Sequence, residues 1–277
     1  MLTRRFDHAL KSLVCGLQPG GKAAMRTLLD HPLALYLLSF GFLFLATHIG
    51  SRLQLRSGPL DEERAGDFDL VVGATLTLLS LIVAFSFSMA ASRYDQRKGY
   101  EEQEANAIGT AYSRAALLPA ADAAKVQGLL RDYVALRIRF YTTESKPQLS
   151  ALARAREQSQ AQLWDAVTLA AANAPTPITA LSVASMNDAI NAQGYSQAAA
   201  WNRIPIGAWV LLYVLGGIAT AMIGYRFRSS TGQHRLKPII PAVVATAFFL
   251  IADIDCPKGG VIRVLPENLL ALSANLH

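Results

Sequence analysis

A chain of 277 residues that is 52% hydrophobic, 17% charged and of formal net charge +6 falls short of the roughly one-quarter charged content of soluble domains. That deficit argues against an ordinary cytosolic enzyme, while high apolar content without a short repeat excludes a disordered or fibrous chain. Cys15 and Cys256, the only cysteines, sit near opposite ends of the sequence, so neither a disulfide framework nor a zinc site is signalled.

Residues 1–32 carry Arg4, Arg5, Lys11, Lys22 and Arg26 against Asp7 and Asp30, the pattern of a basic amphipathic segment lying on an anionic leaflet. Lys11 interrupts its weak apolar stretch, so no cleaved signal is expected. Residues 33–91 hold two uncharged runs, 33–49 and 70–91. A crossing needs roughly 20 apolar residues, and these are read as the first and second transmembrane helices.

Residues 92–203 read as an extramembrane helical region, because alanine, leucine, glutamine and arginine dominate and no alternating β-branched run appears. The second span has no breaker at its end. Its pattern continues to Leu118, before Pro119, giving a helix about 73 Å long with Gly99 as the expected kink. On this extension Ala105, Gly109 and Ser113 recur every fourth residue, as do Ala107, Ala111 and Ala115. Such stripes admit another helix closely, either within the chain or from another copy. Further helices are expected from an N-cap at Asp122, from beyond Pro147 to before Pro175, and from Ile178.

Residues 204–256 contain runs 204–225 and 238–252, the third and fourth transmembrane helices, and 257–277 form a C-terminal tail. The fold expected is all-α: four transmembrane helices with a helical bundle continuous with the second and third spans. Cytoplasmic termini are preferred, although Arg226, Arg228, Arg235 and Lys237 form an acid-free loop on the opposite side.

Enzyme signatures are missing. The phosphate-loop fragment at residues 19–22 lacks a preceding strand, and His8, His31, His48, His234 and His277 are scattered. No catalytic residue, cofactor or nucleic-acid partner is expected. Arg93 and Arg97 precede Glu101 and Glu104 on the helical extension, which makes either a salt-bridged face or an ion-selecting vestibule at a pore mouth. Asp253 and Asp255 close the fourth span, where a carboxylate opposes the helix dipole. Nearby cations (Lys258, Arg263, Arg93) or a metal or permeating ion would answer them. Thr77, Leu81 and Phe85 stack on one helix edge. Turned to a symmetry axis that edge forms a dewetting constriction; turned to lipid or another helix, it is ordinary apolar surface.

The runs LSLIVAFSFSMAASRYDQRKGYEEQEANAIGTAYSRAALLP, MNDAINAQGYSQAAAWNRIP and FFLIADIDCPKGGVIRVLPENLLAL resemble bacterial membrane proteins with a bestrophin-like domain, over roughly residues 68–271. A more distant likeness is to bestrophins, pentameric anion channels with four spans per subunit and cytosolic termini. Leu79-Ser80, Phe85, Arg93-Tyr94, Ile204-Pro205 and Pro257-Lys258-Gly259 match their pattern. The resemblance implies a pore neck at Thr77, Leu81 and Phe85, with Thr77 where the family places a bulky apolar residue. The family's calcium-binding acidic cluster is absent apart from Asp253 and Asp255, so calcium gating is not expected. The resulting expectation is a multi-pass protein of the bacterial inner membrane, a homo-oligomer (a pentamer by resemblance) whose partners are the bilayer and small inorganic ions, chloride-like anions favoured. A non-conducting scaffold or sensor whose helical bundle binds partners is the alternative.

Overall fold

The structure, a computed structural model, describes residues 31–57, 62–226 and 237–276. The amino-terminal basic segment with Cys15 and residues 19–22, and the connection bearing Arg228, His234 and Arg235, lie outside the described residues. Among the described residues every regular element is a helix: α1 (Pro32–Ser57), α2 (Glu62–Ala115), α3 (Ala120–Thr142), α4 (Lys146–Asn173), α5 (Pro177–Trp201), α6 (Ile206–Arg226), α7 (Ile239–Asp255) and α8 (Glu267–Asn275).

Among the described residues three stretches are long and apolar enough to cross a membrane: α1, α2, and the α5–α6 stretch Pro177–Arg226. The chain is an integral membrane protein. Helix α7 has only 17 residues, about 25 Å at the α-helical rise, just short of a ~30 Å hydrocarbon core.

The chain divides into two compact units, and α2 contributes to both. The first comprises residues up to Ala91 with Arg203–Ile262. Its helices α1 and α6 cross at backbone contact. A Cβ at Gly50 would stand 1.8 Å from the Ala221 carbonyl oxygen, and one at Gly224 2.0 Å from that of Thr47. Only glycine permits this approach. Leu43 and Phe248 then close over Gly216, and the Ser39 and Tyr213 hydroxyls pair at 2.5 Å.

The second unit comprises Ser92–Asn202 with the chain from Arg263 onward. Its apolar core gathers Ile108 of α2, Leu130 and Val134 of α3, Val167 of α4, Met186 of α5 and Leu269 of α8. Both small-residue stripes of α2 are used here. Ala105, Ala111 and Ala115 are core residues, and Gly109 lies against Leu272 of α8, whose Cδ1 would be 3.2 Å from an added Cβ. This packing is intramolecular.

Local signals account for most boundaries. Helix α3 follows Pro119, and Asp122 lies in its first turn instead of capping it; proline ends the preceding segment before any aspartate cap can act. Thr176 and Thr179 form a reciprocal capping box at the start of α5. Residues 202–205 separate α5 from α6, where Pro205 supplies no N–H for a continuing ladder. Helix α2 runs unbroken through Gly99. The expected tail contains helix α8, whose nine residues are short for a pattern to reveal.

Candidate functional site

Helix α2 is the least covered of the apolar helices. Only 11% of its most apolar window is buried, against 28% for α1. Its start is pinned to the end of α6. Arg226 donates to both Asp69 oxygens at 2.6 and 2.9 Å, and the Phe68 and Tyr225 ring centroids lie 5.3 Å apart. Beyond that point Leu79, Ser86 and Ala90 are buried, while the opposite edge is bare. Thr77 is exposed and spends its hydroxyl on the Gly73 carbonyl at 2.9 Å. Leu81 is 49% and Phe85 62% exposed. Large apolar side chains left bare along a membrane helix need either lipid or copies of the same edge to cover them.

The four residues expected to line a vestibule, Arg93, Arg97, Glu101 and Glu104, lie further along α2. Glu104 is fully buried and receives Arg137, itself 1% exposed, through two hydrogen bonds, the longer 3.0 Å. Two charges out of water demand such bidentate geometry. The Tyr141 hydroxyl donates to the same carboxylate at 3.4 Å and pairs with Ser196 at 2.6 Å. Burial pushes the Tyr141 hydroxyl above the usual phenol range, with Glu104 adding to it. Burial acts to lower Arg137, yet the neighbouring Glu104 charge leaves its guanidinium above the ordinary value.

Glu101, 1% exposed, accepts the Leu269 backbone N–H at 3.0 Å and the Asn268 amide at 2.7 Å. It thereby caps the amino end of α8, where a negative charge meets the positive end of the helix dipole. Arg97 is buried and bonds the Arg93 carbonyl at 3.2 Å, and Arg93 reaches Asn202. Arg97, Glu101 and Glu104 are thus buried within the second unit, Glu104 against Arg137 and Glu101 at the start of α8, while Arg93 is half-buried. The physical reason is the small-residue surface of α2, which draws α3 and α8 over the face that carries them.

Asp253 and Asp255 are likewise occupied. Asp253 accepts the N–H groups of Val261 at 2.7 Å and Ile262 at 2.8 Å. The turn closes so tightly that a Cβ on Gly260 would stand 2.5 Å from the Asp253 carbonyl oxygen. Asp255 takes the Ile204 N–H at 3.1 and 3.2 Å. Backbone donors thus answer both carboxylates at the end of α7, and no group of three or more His, Cys, Asp or Glu suited to a metal occurs among the described residues. These aspartates clasp the turn and the α5–α6 break.

Sequence reading overlooked the α1–α6 crossing. Its signal was present as Gly216, Thr220 and Gly224 every fourth residue, facing Ser39, Leu43 and Thr47 at the same spacing.

A family model, Bestrophin-like domain, matches residues 35–269. A bacterial bestrophin homologue from Klebsiella pneumoniae solved by Zn-SAD phasing matches with a TM-score of 0.61 at 13% identity, over 88% of this chain and 96% of that one. A single-substitution form of a K. pneumoniae bestrophin homologue gives 0.61 at 14% identity over 87% and 96%. A variant named as a membrane protein gives 0.59 at 14% over 88% and 97%. At such identities the likeness is one of fold. No curated protein matches the chain.

Proposed function

The chain belongs to the bestrophin-like domain family, and on that premise we propose that it is an oligomeric channel passing small inorganic ions along α2. The observation that carries this reading is the exposed Thr77–Leu81–Phe85 edge, opposite the buried Leu79, Ser86 and Ala90 of the same helix. Copies arranged about an axis would cover that edge and set rings of Leu81 and Phe85 around a narrow throat. Such rings expel water, and a dry throat blocks ions until it widens. Thr77 adds a hydroxyl-bearing ring at one end.

In this arrangement α7 makes the fourth crossing, the termini and second unit lie on the cytoplasmic side of a bacterial inner membrane, and five copies close the ring, as the family resemblance implies. The resemblance also favours anions, and the net charge of +6 has the matching sign. Further along α2 the exposed Asp95 and Glu102 oppose that preference, so the reversal potential in a salt gradient decides between the two signs.

A non-conducting scaffold is the second reading, favoured by exposed Leu117, Leu169, Ile178 and Leu181 on the second unit. Purified chain in a planar bilayer separates the two. Discrete unitary currents are expected, and Phe85→Ala is expected to raise the open fraction by widening the dry ring. Silence across ions and pH, with correctly assembled protein, sinks the channel and leaves the scaffold.

A further inference from the structure

Within the first unit a groove of about 460 Å³ runs between α2 and α7. Leu79, Val83 and Phe87 form one wall, and Val244, Ala247 and Ile251 the other. Eleven of its twelve lining residues are apolar. The exception, Ser80, already donates its hydroxyl to the Leu76 carbonyl at 2.8 Å. Water has no polar partner there, so whatever fills the groove is apolar.

We infer that this groove holds one acyl chain of an anionic phospholipid, with the headgroup at the Lys237 end. Three observations support that occupant. First, length: from Ile240 to Ile251 the α7 wall rises about 16 Å, close to one leaflet of a ~30 Å hydrocarbon core. Second, charge: Lys237 lies two residues before Ile239, where α7 begins. Asp69, the last carboxylate on α2 before the groove residues begin, is held by Arg226. A cation at one end of a dry slot complements a phosphate at the end of an acyl chain. Third, direction: at 100° per residue the groove face of α2 lies about 130° round from the Thr77–Leu81–Phe85 edge. Copies meeting along that edge leave the groove open to lipid. This third point rests on the channel reading; the other two do not.

The test uses the full chain in a neutral detergent, with native mass spectrometry after adding phosphatidylglycerol or phosphatidylcholine of identical acyl chains. The wild type is expected to retain phosphatidylglycerol about fivefold better, the effect of a single cation near a headgroup. Lys237→Gln should bring the ratio to about one, because it removes that cation and no other. Ala247→Phe should fill the slot and cost retention of both lipids. Equal retention of the two lipids by the wild type overturns the proposal, as does an unchanged preference in Lys237→Gln.

If Ala247→Phe fails to fold, phosphatidylglycerol carrying a diazirine in its acyl chain gives the same answer on the wild type. Labels should fall in 76–87 and 240–251, and even labelling over α1 and α6 overturns the assignment. A disulfide between two copies through Ala247→Cys would put a second chain in the groove and overturn it too. None of these readouts needs conduction. Silent bilayers with phosphatidylglycerol retained would remove the channel and leave the lipid site.

Discussion

In the first unit the closest contact is made by residues with no side chain, Gly50 and Gly224; in the second the deepest contact is an ion pair, Glu104 with Arg137. Apolar helices gain nothing by hiding from lipid, so they associate through close fit, and small residues supply it. Buried polar groups, by contrast, hold a unit together only where they find partners. Three glutamines of the second unit form one line of such partners. Gln160 donates to Tyr133 at 3.0 Å and to Gln193 at 3.2 Å, and Gln193 donates to Gln197 at 3.0 Å. One region is specified by shape and the other by hydrogen-bond pairing.

The largest expected effect breaks the shape. Gly224→Leu drives a side chain into the Thr47 backbone, and the folded chain should be lost outright; fluorescence-detected size-exclusion chromatography would show aggregate in place of a monodisperse peak. Next comes the pairing. Glu104→Gln strands Arg137 and should destabilise by about 3–5 kcal/mol, read as an earlier melting transition. The double variant Glu104→Met/Arg137→Met should recover most of that loss, because an apolar pair leaves no orphaned charge. A double variant as unstable as the single would mean that the pairing is not what the unit depends on.

Alkaline pH sharpens the comparison further. Burial pushes the Tyr133 phenol up to about 12, so the folded chain holds that proton more tightly than the unfolded chain does. The stabilisation is complete below the free-phenol value of about 10 and is lost as pH rises from there through about 12. Melting temperature should therefore fall across that window, and Tyr133→Phe should flatten the fall; phenolate absorbance follows the same titration. The smallest effect is expected at Asp69, which is half exposed beside an equally exposed Arg226. Asp69→Asn should leave the melting transition where it is, since water already screens both charges.

How far the site could be read from the sequence follows from the same contrast. The bare edge of α2 was legible because a helix repeats every 3.6 residues, which places Thr77, Leu81 and Phe85 on one side whatever surrounds them. The carboxylates were not legible. A glutamate followed by alanines reads as solvated until α3 and α8 are known to close over it, and nothing local announces that Arg137 will arrive from 33 residues away. Asp253 is a similar case. Its partners are backbone N–H groups eight and nine residues on, and every residue type except proline offers such groups.

Composition and periodicity by themselves established an all-helical membrane chain, a second helix too long to end at the bilayer, and one apolar edge along it. These follow from hydropathy and helical geometry, which depend on neighbours in sequence. Which polar groups are buried, which glycines touch a facing backbone, and whether a carboxylate meets water or an amide were decided only by tertiary packing. Those outcomes depend on residues distant in the chain, and the energy of a buried charge is set by what happens to lie beside it.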